Sequence, residues 1–340
     1  MNTKNALAAP CLLIAAMVIL ILFRSVIFAS GGVLYEGPGQ EDPSQMEQLE
    51  TGEAEANYVS LNAVRYKPDQ FFILSVISNV FAFLFPAAFY IKLKGAGHSK
   101  NLKLSLPKAK YVPFAICMFL ALVAGTVLIS SVSLGIMGGE ADIEGTLPNL
   151  FYTGGKPAYE LGVMVSFVLL PAFCEEFFFR SVLSAEYEQQ GAIAAAAIGS
   201  AAFALAHFSL KFFLVYLFAA VIFYITAKIT NSAPLAMILH AGYNFFCIYL
   251  WDKFLGSLRF EQNRTIFVFI NAIVFIICIA LVLGSLETIY YKKAYNNDPS
   301  PLPREKSERR FDAAARFFSP LLSPTFIIAI IIFFVYVNIQ

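Results

Sequence analysis

Residues 169–180 read Leu169-Leu170-Pro171-Ala172-Phe173-Cys174-Glu175-Glu176-Phe177-Phe178-Phe179-Arg180, two adjacent carboxylates and a guanidinium set in a run of leucine and phenylalanine. Such a run has the character of a helix immersed in hydrocarbon, where each ionisable side chain costs roughly 2.5–3.5 kcal/mol on insertion scales. Their presence argues for a purpose. In a helix, Glu176 and Arg180 are four apart and share a face, so they can form an ion pair in which each partner reduces the other's burial cost. Glu175 points about a hundred degrees away. It is the carboxylate without a local partner and is therefore suited to exchanging protons. Pro171, four residues before Glu175, deletes a backbone hydrogen bond and predicts a kink there.

The apolar texture extends over the whole chain. It has 340 residues, 59% hydrophobic and 14% charged, with a mean hydropathy of +0.69. Soluble chains carry about a quarter charged residues, so a water-soluble globule is excluded. Nine apolar stretches of membrane-spanning length stand out, at about 6–28, 71–91, 111–137, 160–183, 192–209, 211–229, 234–251, 265–290 and 321–339. Spanning segments must satisfy their own backbone hydrogen bonds, and the pattern lacks the alternation of a barrel, so they are helices. The expected fold class is all-α, a polytopic transmembrane bundle of about 8–9 spans.

Charge is informative by its placement. With 24 basic and 23 acidic residues, the chain offers no basis for nucleic-acid binding. Loop 92–110, however, holds six lysines and no acid, and loop 291–320 seven basic residues against four acidic ones. Loop 30–70 has eight acids against two bases, and loop 138–160 four against one. With nine spans and a cytoplasmic N-terminus, both basic loops fall inside, as basic loops do. The first stretch, Leu7 to Phe23, is longer than a signal-peptide core and lacks a small-residue cleavage site, so it reads as a retained span. Loop 30–70 carries too little apolar surface for a core and is expected to be exposed and partly disordered. Residues Glu305 to Arg316 read as a short charged helix on the membrane surface. The five cysteines, Cys11, Cys117, Cys174, Cys247 and Cys278, are odd in number and lie in apolar runs, which reads as packing and not as a disulfide framework.

Further polar groups recur inside the spans. The fifth contains Phe203-Ala204-Leu205-Ala206-His207 and the seventh His240-Ala241-Gly242-Tyr243-Asn244, so two of the chain's three histidines lie within apolar helices. The third, His98, sits in the lysine-rich loop and is expected to be solvated. His240 and Asn244 are four apart and project together. The set supplies a base, a histidine and two further groups able to bind a carbonyl oxygen as it gains charge. The same Glu175, His207 and His240 also fit an open zinc site, and spacing does not choose between a metal-free and a zinc mechanism.

The order E-E-x-x-x-R, F-x-x-x-H and H-x-x-x-N, each in its own span, resembles the CPBP family, the CAAX protease and bacteriocin-processing enzymes. The resemblance covers about residues 160–251. It implies an intramembrane endopeptidase similar to enzymes that remove the last three residues of prenylated CAAX proteins. It further implies that Glu175 and His207 activate a water, that His240 and Asn244 stabilise the oxyanion, and that Glu176 and Arg180 brace the helix. Members are described as metalloproteases and as glutamic proteases; no cofactor is favoured, with zinc on Glu175, His207 and His240 as the other option. The implied partners are membrane lipid and a peptide or protein substrate, prenylated or not. On this reading the chain comprises an N-terminal anchor (1–30), an acidic external loop (31–70), a catalytic bundle (71–290, motif core 160–251), a basic cytoplasmic loop (291–320) and a C-terminal span (321–340).

Blander readings stand beside this one. Glu175, Glu176 and Arg180 can be a charge network without chemistry, His207 an interfacial histidine and Asn244 interhelical glue. Cys174, a thiol in apolar surroundings, is expected to be inert. A silent scaffold or bacteriocin-immunity protein of the same fold is the alternative function, and a proton-coupled transporter a weaker one, since no inverted pair of broken helices is visible. One geometric condition is strict. Straight spans separate His207 and His240 by about 15 Å in depth. Either the connection near Ser209 to Lys211 dips into the membrane or the sixth span is short and tilted, and the dip is expected.

Overall fold

The computed structural model describes residues 3–29, 33–34, 59–61, 64–66, 68–95, 102–137, 157–251, 261–295, 318 and 320–339. Among these, six helices are long and apolar enough to cross a membrane and three shorter ones are equally apolar, all nine at the positions of the expected spans. The protein is an integral membrane protein with an all-α bundle. The expected surface helix at 305–316 and the environment of His98 lie outside the described residues.

In chain order, α1 is Thr3–Ala29. Helix α2 runs through Pro68–Asn79, a π-helical turn at Val80–Leu84 and Phe85–Lys94, and α3 is Val112–Met137. Helix α4 begins at Pro157–Val163, widens into a π-helix at Met164–Leu169, returns to α at Leu170–Glu176, widens again at Phe177–Leu183 and closes at Ser184–Tyr187. Helix α5 is Ala192–Ala206, α6 Phe213–Thr230, and α7 Ala233–Phe245 followed by a π-turn at Phe246–Leu250. Helices α8, Glu261–Tyr295, and α9, Pro324–Ile339, complete the set.

Apart from Pro10, inside α1, prolines punctuate these helices in two ways. Pro68, Pro113, Pro157, Pro234 and Pro324 fall at the first or second helical residue, where the missing N–H costs nothing. Pro86 and Pro171 lie inside continuous helices, each just after a π-turn. There the N–H of the preceding residue reaches back five positions, Phe85 to Val80 and Leu170 to Val165. The wider turn makes room for a ring that would otherwise strike the carbonyl four residues back. The irregularity expected at Pro171 therefore takes the form of a π-turn ahead of the proline, within an unbroken helix.

Outside the helices, Val33–Leu34, Val59–Leu61 and Val64–Tyr66 form β1, β2 and β3 of a small antiparallel sheet in the order β1-β3-β2. These residues belong to the loop expected to be exposed and partly disordered, the rest of which lies outside the described residues. Valine, leucine and tyrosine at these positions favour extended backbone, and ladder hydrogen bonds need no core beneath them.

Helix α5 packs on α6, α7 on the Leu170–Glu176 segment of α4, α8 on α3 and α9 on α1. Gly125 lets α6 approach α3, because a Cβ there would lie 2.4 Å from Phe218 Cζ. The turn from α4 to α5 passes through Gly191 at φ 112°, a conformation that favours glycine. On the side where these turns lie, Glu188 draws together three chain segments. Its carboxylate pairs with Lys103, receives Lys228 Nζ at 2.9 Å and accepts the Tyr224 hydroxyl at 3.2 Å. Burial alone would push the Glu188 carboxyl up, but Lys103 and Lys228 outweigh it and hold the group below the ordinary carboxylate range. Ser232 caps α7 by accepting from Leu235 N–H and donates to Ser105 O at 2.6 Å, while Ala233 N–H bonds Lys103 O at 2.8 Å.

A carboxyl whose folded pKa is depressed stabilises the fold above its unfolded value, about 4.3 for Glu, and this contribution is lost as pH falls through the lower folded value. Glu188→Gln should cost about 1–3 kcal/mol in thermal unfolding in detergent at pH 7. The gap to wild type should close as the pH is lowered below about 4.

Candidate active site

The two glutamates leave α4 in different directions, and each meets a histidine. Glu176 is fully buried, with Arg180 Nε 2.9 Å from its Oε2 and His240 Nδ1 3.1 Å from its Oε1. A carboxylate oxygen paired with a guanidinium only accepts, so His240 Nδ1 carries the hydrogen and donates it to Glu176 Oε1. The ion pair expected from the four-residue spacing is present, and His240 joins it.

Glu175 faces the other way. Its Oε2 has no hydrogen-bond partner among the described residues and lies 3.7 Å from His207 Nε2. That separation is too long for a direct bond, and a water bonded to both atoms would sit beside the line that joins them. His207 Nδ1 donates to the carbonyl of Phe203 at 2.8 Å, which accounts for that nitrogen and turns Nε2 toward Glu175. Exposure grades across the site. The Glu176 and Arg180 side chains are 0% and 1% exposed, those of Glu175 and His207 10% and 22%.

Phe203 is the hinge of the arrangement. Its ring lies 4.5 Å from the His207 ring and 5.8 Å from that of His240, centroid to centroid. The two histidines therefore meet across one phenylalanine, and the depth problem is resolved by the length of α5. Fifteen residues rise about 22 Å, short of a hydrocarbon thickness of about 30 Å. The helix stops at Ala206, not at 209 as expected, and His207 follows directly in the turn toward α6.

Arg180 is enclosed by aromatic faces, 5.9, 5.1 and 5.8 Å from the rings of Phe179, Phe203 and Phe223. These rings and Phe178 are almost fully buried. The quadrupoles of the three facing rings partly replace the water Arg180 has lost.

Spacing did not single out three further residues. Tyr216 of α6 stacks on His207 at 4.0 Å and 27°, on a ring that also touches Phe203. Phe223 stacks on His240 at 4.6 Å and 19°. Phe208, directly after His207, holds a left-handed backbone at φ 52° while 97% buried, at a cost of order 1–3 kcal/mol. The aromatic α6 partners gave no signal, since their spacing is that of ordinary packing.

Asn244, one turn after His240 on α7, is half-buried. Cys174 is a buried free thiol beside the glutamates. Among the described residues, no group of three His, Cys, Asp or Glu side chains is placed to hold a metal ion. The suggested zinc set of Glu175, His207 and His240 does not form such a group here: His207 Nε2 lies 3.7 Å from Glu175, and His240 bonds Glu176 through Nδ1.

Residues 157–246 match the family described as Type II CAAX prenyl endopeptidase Rce1-like. The match runs from the start of α4 to the end of α7, the helices that build the site. No curated protein and no solved structure matches the chain.

Removing one member of a buried ion pair leaves the other uncompensated. Glu176→Leu should destabilise the protein by about 3–5 kcal/mol, read as thermal unfolding in detergent. The double variant Glu176→Leu/Arg180→Leu should lose less than Glu176→Leu alone.

Proposed function

We propose that this chain, whose residues 157–246 match the Rce1-like type II CAAX prenyl endopeptidase family, is an intramembrane endopeptidase in which Glu175 and His207 activate water. The observation that carries this reading is the unpartnered Glu175 Oε2 facing His207 Nε2 across 3.7 Å. A silent scaffold gains nothing from a buried carboxylate oxygen left without a donor, whereas a hydrolase needs that oxygen for its water.

In the reaction, a water sits between Glu175 and His207. Glu175 takes one proton while Nε2 of His207 accepts a hydrogen bond from the other O–H, aiming the lone pair at the scissile carbonyl. The C–O bond forms and the carbonyl oxygen gains the charge. His240 and Asn244, four apart on α7, donate to that oxygen. Donation from His240 Nε2 requires the protonated ring, for which Glu176 at 3.1 Å supplies the countercharge. The C–N bond then breaks, and the proton held by Glu175 passes to the leaving amine, so that one water yields one carboxyl and one amino end.

No step passes through a metal. The substrate class is a membrane-associated peptide or protein end, with a prenylated C-terminal segment as the first candidate. The charge of the loops favours a cytoplasmic N-terminus and entry of the substrate from the cytoplasmic side.

Purified protein should cleave a farnesylated CAAX-type peptide, with the three C-terminal residues released and detected by mass spectrometry. Glu175→Gln and His207→Ala should abolish turnover, and Asn244→Ala should lower kcat by about 10²–10³-fold. A chelator should leave activity intact; activity lost to chelation and restored by zinc would overturn the metal-free assignment. Cleavage that survives both Glu175→Gln and His207→Ala would overturn the site.

A further inference from the structure

The corner that carries His207 is held from outside the segment that matches the protease family. Arg24, near the end of α1, donates from Nη2 to the carbonyl of His207 at 3.4 Å. Its guanidinium lies 5.3 Å from the Phe208 ring and 6.0 Å from the ring of Tyr336 on α9. Tyr336 in turn packs on Phe208 at 4.8 Å, and Phe333, one turn earlier, stacks on Phe208 at 6.5 Å and 15°. Phe333 also meets Phe213 at 5.8 Å, at the start of α6. Both sides of the corner, the end of α5 and the beginning of α6, are thus gripped by one cluster.

The cluster has a task that simple packing does not. Phe208 holds a left-handed backbone although it is neither glycine nor asparagine. A bulky residue keeps that conformation only where its surroundings over-determine it. The same backbone turn sets where the His207 ring leaves the chain, and the Nδ1 bond to Phe203 fixes only its rotation. An arginine in an apolar helix is itself costly, and among the described residues no carboxylate pairs with this one. Among the described residues, its hydrogen bond and ring contacts are with the corner and with α9.

We infer that Arg24 and Tyr336 are positioning residues for His207: α1 and α9 form a brace that holds the His207–Phe208 corner in the strained turn from which Nε2 faces Glu175. This rests on the protease reading, in which His207 orients the water. The brace acts on the geometry of the reacting groups and makes no contact with substrate.

The test compares full-length wild type, Arg24→Met, Arg24→Lys and Tyr336→Leu on the farnesylated peptide, with melting temperature measured for each. Arg24→Met should lower kcat about tenfold with KM unchanged and the melting temperature within a few degrees of wild type, since displacement of a reacting group acts on the chemical step. Arg24→Lys, which keeps a cation and a donor, should restore most of kcat. Tyr336→Leu should lower kcat in the same manner, and the Arg24→Met/Tyr336→Leu pair should fall short of the product of the single effects. A rise in KM at constant kcat for Arg24→Met would overturn the inference and make Arg24 a substrate contact. Unchanged kcat in both single variants, with wild-type turnover still dependent on Glu175 and His207, would overturn it while leaving the protease reading intact. Failure of the protease reading shows separately, as turnover indifferent to Glu175→Gln.

Discussion

The guanidinium of Arg180, 1% exposed in the middle of a hydrophobic bundle, constrains everything packed around it. It cannot shed its charge, so the fold must answer it with a countercharge and polarisable surroundings. Glu176 provides the first and the faces of Phe179, Phe203 and Phe223 the second. This arrangement fixes the rotation of α4 and pins α5 and α6 against it. Because Glu176 is committed to Arg180 and His240, its neighbour Glu175 is turned a third of a helical circle away, toward His207. Division of labour between adjacent carboxylates follows from the helix itself: two consecutive side chains cannot share a face.

The second constraint is depth. Polar groups on three helices meet only if their helices place them at one level, and straight full-length spans would not. A fifteen-residue α5 is shorter than the hydrocarbon thickness, and the turn after it keeps the His207 ring 4.5 Å from Phe203, whose ring also meets His240. Irregular backbone at membrane depth is tolerated where protein covers it. Here the covering comes from Phe208, 3% exposed, with Arg24, Phe333 and Tyr336 around it. The π-turns of α4 serve a related end, flanking the Glu175–Glu176 segment so that an interior proline leaves the helix continuous.

Much of this was legible in the sequence, for identifiable reasons. Apolar runs of spanning length are a strong signal, since hydrocarbon leaves the backbone few options, and the nine apolar helices among the described residues were anticipated. The i,i+4 relation between Glu176 and Arg180 is a property of one helix and needs no tertiary knowledge. The attachment of His240 to Glu176 was not legible, because it depends on how α7 is rotated against α4. The end of α5 at Ala206 was hidden by the apolar Phe208, Leu210, Phe212 and Phe213, which continue the hydrophobic run through the turn. The small sheet escaped because three short extended segments scattered among acids carry little periodic signal. The motif phenylalanine was legible as a position and not as a device: Phe203 offers its carbonyl to His207 and its ring to both histidines, and only coordinates join those roles.

The gradient of exposure across the site agrees with the proposed hydrolysis. On that proposal water must reach the Glu175–His207 edge, and water at the Glu176–Arg180 pair would weaken the Coulomb attraction that orients α4. The side chains follow that requirement, with 10% and 22% exposure at the reacting edge and 0% and 1% at the ion pair. Phe203 and the Phe223 ring stacked on His240 form the dry partition between the two. Loss of ring volume at Phe203 would therefore do more than loosen packing. It would admit solvent to the buried pair and free the carbonyl-bound His207 ring to drift, coupling the stability of the bundle to the alignment of the reacting groups through one side chain.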